Sequence, residues 1–110
     1  MQYKRVKITT TAPPEHADAI REALGNAGAG KIGVYHFCSF SVLGKGRSLP
    51  TKDADPFIGE LGKLEVIEEE QIEVVCQREE ASVVIAALRA AHPYEEPIIE
   101  ISPLLDETDL

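Results

Sequence analysis

Twice along this chain, side chains that alternate between apolar and polar give way to an apolar stripe at helical spacing, and the alternation then returns. A period of two belongs to a strand with one buried face, and spacings of three and four belong to an amphipathic helix. The first cycle opens at Tyr3–Thr10, where Val6 and Ile8 share one face and Arg5, Lys7 and Thr9 the other. Pro13 and Pro14 suit the first turn of a helix, and Glu15 and Asp18 favour the positive end of its dipole. That helix carries Ala17, Ile20, Leu24 and Ala27 on one stripe and stops in the glycine series Gly25, Gly28, Gly30. Alternation resumes at Lys31, with Ile32, Val34, His36, Cys38, Phe40 and Val42 in phase, which predicts a second strand over 32–42. The second cycle runs from the strand Leu64–Cys76 through a helix over Glu79–Ala91, with Val84, Ala87, Leu88 and Ala91 on its stripe. Pro93 cannot continue that helix, and Pro97, Ile98, Ile99 and Ile101 begin a last strand. The order strand, helix, strand, strand, helix, strand predicts an α+β fold, a ferredoxin-like βαββαβ sandwich. Its four-stranded antiparallel sheet carries both helices on one face. Tyr35, Phe37, Val75 and Ile98 then fall on the open face, which calls for a cover, and a closed homo-oligomer supplies one.

At 110 residues and 44% apolar composition, the chain has the size and the core material of one domain without disulfide staples. That domain is expected over 1–104, followed by an acidic tail, 105–110, that frays. Eleven Lys and Arg against nineteen Asp and Glu give a net charge of −8, which repels phosphate backbones and argues against nucleic acid as a partner. No apolar run approaches the roughly 20 residues of a membrane span, and no signal-peptide pattern opens the chain, so a cytoplasmic protein without a membrane partner is expected. In that compartment Cys38 and Cys76 are expected as free thiols.

Three segments carry candidate chemistry. Leu43–Gly62, with its glycines, two prolines and mixed charge, reads as a long loop and the first place to look for a ligand. Within it, Gly44-Lys45-Gly46-Arg47-Ser48 offers backbone amides and two cations, Lys45 and Arg47, to a small anionic metabolite, although it lacks the frame of a P-loop. His36 and Cys38, two apart on one strand face, have workable ligand spacing, and His92 adds a third donor for a divalent metal ion. The bland alternative makes His36 and Cys38 fillers of a half-buried sheet row. The hexapeptide His92-Pro93-Tyr94-Glu95-Glu96-Pro97 reads first as a structural corner, and its Tyr94, Glu95 and Glu96 are candidates to line a ligand cleft. The glutamates between Glu65 and Glu73 read first as a charged strand exterior that discourages edge pairing, with a cation-binding rim as the sharper alternative.

Ala27-Gly28-Ala29-Gly30-Lys31-Ile32-Gly33-Val34-Tyr35, Cys38-Ser39-Phe40, Gly44-Lys45-Gly46, Asp55-Pro56-Phe57-Ile58-Gly59-Glu60, Ile72-Glu73-Val74 and the His-Pro-Tyr-Glu-Glu-Pro segment occur in that order. Together they resemble the domain inserted in many bacterial Nif-three-like proteins of the YqfO type, in a small stand-alone version. The histidine-rich dinuclear-metal half of that family has no counterpart in these residues. The resemblance implies a CutA/PII-like fold assembling as a homotrimer with ligand clefts between subunits. It favours a non-catalytic regulatory or ligand-binding module that takes a metal ion or a small anionic metabolite. Two alternatives stay open: a metal-dependent hydrolase or an accessory subunit of one, and a purely structural assembly domain. The sequence shows no clear histidine–carboxylate cluster, which weighs against the enzyme.

Overall fold

The computed structural model describes residues 2–110. Strand β1 covers Arg5–Ala12 and leads through Pro13 into helix α1, Pro14–Asn26, whose first position is the proline that needs no amide donor. Strand β2 covers Phe40–Ser48, strand β3 covers Glu65–Gln77, a short 3₁₀ turn at Arg78–Glu80 opens helix α2, Ala81–Ala91, and strand β4 covers Glu100–Leu104. The sheet order is β2-β3-β1-β4 with every neighbouring pair antiparallel. Strands β1 and β2 therefore run parallel on either side of β3, and β3 and β4 run parallel on either side of β1. That is the split βαβ arrangement of a ferredoxin-like fold, as the order of periodicities predicts.

Alternation decides which face is covered. In β1 the buried positions are Val6, Ile8, Thr10 and Ala12, and the register sets them against Cys76, Val74, Ile72 and Glu70 of β3. The stripes of the two helices, Ala17, Ile20 and Leu24 of α1 and Val84 and Leu88 of α2, close over that face. Ile8, Ile20, Leu24, Ile72 and Leu88 are almost fully buried, and each such side chain contributes about 1.5–3 kcal/mol on leaving water. Arg21 of α1 bonds Glu70 and Ser41, which ties the helix to β2 and β3 where the apolar core ends.

Two expectations are corrected. The alternating run 32–42 is not a strand until Phe40: Ile32 and Tyr35 exchange backbone hydrogen bonds of 2.9 Å in a tight turn, and Phe37 has φ 58°. The run is pinned instead by glycine. Gly30 has φ +81°, donates its amide to Val75 O at 2.8 Å and accepts from Cys38 at 2.8 Å. A side chain is disfavoured at that φ, and a Cβ there would stand 2.7 Å from Cys38 N. Conversely, the expected loop over 43–62 begins only after Ser48, because Leu43–Ser48 belong to β2, an edge strand where glycine is tolerated. Past β4, Glu107–Asp109 form a 3₁₀ turn closed by a capping box between Asp106 and Asp109.

The register holds one further consequence. Strand β1 pairs with β3 only from Glu70 onward, so Glu65–Glu69 pair with β2 alone, and this end of the sheet is a two-stranded ribbon. Among the described residues, no helix is long and apolar enough to cross a membrane.

Candidate functional site

The ribbon is the floor of a cleft of about 350 Å³. Gly46, Ser48, Glu65, Ile67 and Glu69 lie on its open face, and loop 49–64 arches over them. Glu69 crosses the bare α-carbon of Gly46, its Cγ 3.0 Å from where a Cβ would stand, so a side chain there would displace the Glu69 carboxylate. The far wall is the corner after α2, built from Tyr94, Glu95, Glu96 and Ile98.

Each wall is held by a contact that spans the sequence. Tyr94 donates its hydroxyl to Glu69 at 2.7 Å. Burial foremost, and then the bonded Glu69 carboxylate, hold that phenol well above its ordinary pKa, so it stays a neutral donor. Glu95 accepts the backbone N–H of Asp55 at 3.0 Å, fastening the loop to the corner. Phe57 meets His16 of α1 edge-on at 5.3 Å between ring centroids and lies 6.3 Å from the Tyr94 ring. Inside the loop, Gly62 donates to Pro50 O at 2.7 Å.

His92 supports the corner from beneath. It is 7% exposed, its ring lies 4.8 Å from that of Tyr94, and both ring nitrogens are used by backbone. Nδ1 accepts the Tyr94 N–H at 3.1 Å, so Nε2 carries the proton that it donates to Thr11 O at 2.8 Å. Desolvation lowers the pKa of this imidazole, against the Thr11 bond and the nearby Glu69 charge, which raise it, and with His16, which lowers it further. Neutral His92 is a brace, with no nitrogen left for a metal.

The expected residues are thus divided. Tyr94, Glu95, Glu96 and Arg47 line one cleft, whereas Lys45 does not. Lys45 sits in mid-strand opposite Glu68, so the anticipated anion-binding loop around it is regular β2 backbone. His36 is exposed in the turn before β2, and Cys38 is half-buried there with Sγ 4.0 Å from His36 O, so they do not form the expected sheet row. Cys38 is bonded to Gly30, and Gly30 to Val75, which pairs with Lys7. His92 is bonded to Thr11, four residues further along β1, on the order of 13 Å at strand rise. The chain does not bring its two histidines and the thiol together, and among the described residues no group of three or more His, Cys, Asp or Glu side chains is arranged to hold a metal ion. Both cysteines are free thiols, and burial foremost raises the pKa of Cys76.

His16, Phe57 and Glu69 were not among the sequence candidates. Phe57 stood in a legible motif and Glu69 in a legible acidic interruption of β3, but their partners lie far away in sequence and left no local signal.

No protein-family model matches the chain. It is 44% identical over 101 residues to a protein of Halalkalibacterium halodurans named GTP cyclohydrolase 1 type 2 homolog, covering 92% of this chain and 27% of that protein. Among solved structures, it superposes with a TM-score of 0.82 and 38% identity on the Bacillus cereus protein related to NIF3, over 94% of this chain and 26% of that one. CutA from Archaeoglobus fulgidus superposes with a TM-score of 0.66 at 24% identity, over 91% of this chain and 83% of CutA. The Bacillus subtilis GlnK–ATP complex gives 0.61 at 13% identity, over 93% of this chain and 84% of that one. At those identities CutA and GlnK show the fold alone. The chain spans about a quarter of the length of the curated relatives it matches, and it is a CutA/PII-like ferredoxin-like unit similar to one part of NIF3-related proteins.

Proposed function

We propose that this chain is a non-catalytic regulatory or ligand-binding module that seats a small organic molecule in the cleft between loop 49–64, the β2–β3 ribbon and the Tyr94–Glu96 corner. The observation that supports it most is the closure of that cleft by side chains from three separate elements: His16 on Phe57, Glu95 on the Asp55 amide, and Tyr94 on Glu69. A cleft of about 350 Å³ falls within the range of roughly 300–1,000 Å³ usual for small-molecule sites. Its lining combines apolar side chains from the loop, the ribbon and the corner with carboxylates, hydroxyls and the Arg47 guanidinium that can set orientation. A fold shared with proteins named for divalent cation tolerance and with a GlnK–ATP complex supports the same reading.

The module works as a homotrimer in this reading. Ile32, Val34, Tyr35 and Phe37 project from the turn before β2, and Phe40, Val42 and Ile98 are exposed elsewhere, more apolar surface than a monomer keeps in water. A divalent metal ion is the second reading, supported by the names of the CutA neighbours, and it would need donors from more than one subunit. A thermal-shift screen of metabolites, nucleotides and divalent ions tests the module. A specific ligand raises the melting temperature by mass action, and Phe57→Ala abolishes that shift. A screen in which no compound distinguishes the parent from Phe57→Ala overturns the cleft as the seat. Light scattering that returns a monomer at micromolar concentration overturns the trimer.

A further inference from the structure

We propose that the cleft selects an organic cation, a small molecule with a flat apolar body and a protonated amine. This rests on the reading of the cleft as a ligand seat and adds the sign of what sits there. The walls that would hold the body are apolar and aromatic: Pro50, Phe57, Ile67, Ile98 and the ring of Tyr94. The charges around them are one-sided. Four carboxylates, Glu65 and Glu69 on the ribbon and Glu95 and Glu96 on the corner, face the space against the single guanidinium of Arg47. Among the described residues the ion pairs are Lys7–Glu73, Arg21–Asp18, Arg21–Glu70 and Lys63–Glu60, so none of the four is neutralised by a side-chain cation. One oxygen of Glu69 is taken by the Tyr94 hydroxyl and one of Glu95 by the Asp55 amide, which fixes both carboxylates in place without cancelling their charge.

Carboxylates on two opposing walls, with low-dielectric side chains between them, focus a negative potential into the gap. An ammonium group there gains from both walls and from the aromatic faces, whereas a carboxylate or phosphate meets repulsion from both walls. A hard divalent ion is less well served. It wants six or more oxygens within about 2.6 Å, and these carboxylates are spread along the cleft, Glu65 and Glu69 on the order of 13 Å apart along β3. The anionic metabolite suggested by the cations of the sequence is therefore replaced by its opposite, because Lys45 lies outside the cleft and Arg47 is outnumbered.

Three probes that share one ring system separate sign from shape: tryptamine, the neutral alcohol tryptophol, and indole-3-propionate. Each is titrated into the full chain at pH 7 with amide chemical shifts as the readout. The expected result is that tryptamine binds at least about tenfold more tightly than indole-3-propionate, with tryptophol between them. The shifted amides should be those of Thr51, Asp55, Glu65 and Tyr94, and the preference should weaken as salt is raised. In Glu96→Gln and in Glu69→Gln, which keeps an acceptor for Tyr94, tryptamine should lose about threefold or more of its affinity while tryptophol is unchanged. Glu96 is exposed, so its variant keeps the test sound if Glu69→Gln folds poorly. Equal or tighter binding of indole-3-propionate at the same amides overturns the cation and leaves the ligand seat standing. Broadening of those amides by manganese ion at lower concentration than tryptamine requires overturns the organic cation in favour of a metal. Shifts in none of these amides with any probe overturn the cation and the seat together.

Discussion

The two ends of the sheet are fastened in opposite ways. At the end where β2 begins, segment 28–39 is held mainly by backbone: Gly30 bonds Val75 and Cys38, and Ile32 bonds Tyr35, with the half-exposed Phe37 ring over the bare α-carbon of Gly25 adding a side-chain contact. Its side chains are therefore turned outward, with Val34 at 90% exposure and Tyr35 at 70%. At the end where β2 finishes, loop 49–64 is held mainly by side chains from α1 and the corner, His16 and Tyr94 on Phe57 and Glu95 on the Asp55 amide, and these contacts border the cleft. Backbone fastening leaves side chains free to meet another surface, and side-chain fastening makes a concave site. The first end leaves apolar side chains exposed, and the second encloses a cleft.

Substitutions can break this contrast. The largest effect is expected at Gly30→Ala, which forces an L-residue into a left-handed conformation against the Cys38 backbone. It should cost about 3 kcal/mol or more, read as a fall in urea midpoint, because neither strand nor turn can retreat. Next is His92→Ala, which leaves Thr11 O and the Tyr94 N–H without partners and should cost about 1–3 kcal/mol. The same residue predicts a pH dependence. Folding lowers the pKa of His92, so below about 6.5 the unfolded chain takes up its proton first. The contribution of His92 is complete above that pH and is lost as pH falls toward the folded value. A plot of stability between pH 7.5 and 5 should therefore be flatter in His92→Gln than in the parent.

Gly25→Ala should cost less, about 1 kcal/mol, because the half-exposed Phe37 ring can swing away rather than clash. The outcome to look for is Phe37 released to solvent with the cleft amides unmoved, since the two ends share no contact of this kind. The smallest effect is expected at Phe57→Ala. It should change stability by about 0.5 kcal/mol or less while enlarging the cleft and raising exchange of the Asp55 amide, because Phe57 is half exposed and its contacts close a site rather than a core. A drop of several kcal/mol would mean that the loop is part of the folded framework and that the contrast drawn here is false.

The covered face was legible and the uncovered parts less so. Val6, Ile8, Ile20, Leu24, Ile72, Val84 and Leu88 announce themselves by period, because burial on one face imposes that period. The strand β2 was misplaced because its neighbourhood contains both misleading signals at once. Ile32–Cys38 alternates and is rich in β-branched and aromatic residues, yet the positive φ of Gly30, Gly33 and Phe37 prevents an extended path. Phe40–Ser48 contains two glycines and two cations, yet pairs fully with β3. In the site, the corner Tyr94-Glu95-Glu96 was legible from its unusual composition. Its partners Glu69 and Asp55 were not, because contacts 25 and 40 residues apart have no periodic trace.

The cleft floor has one neighbour fewer than the rest of the sheet. Residues 65–69 of β3 lack β1 beside them, and on that side the ribbon is tied to the corner through the Tyr94–Glu69 hydrogen bond rather than by a strand ladder. Opening or narrowing the gap over them then breaks no hydrogen bond of β1 and disturbs none of the packing around Ile72. Amide protection should accordingly climb in a gradient along β3, low at Glu65 and reaching the global value near Ile72.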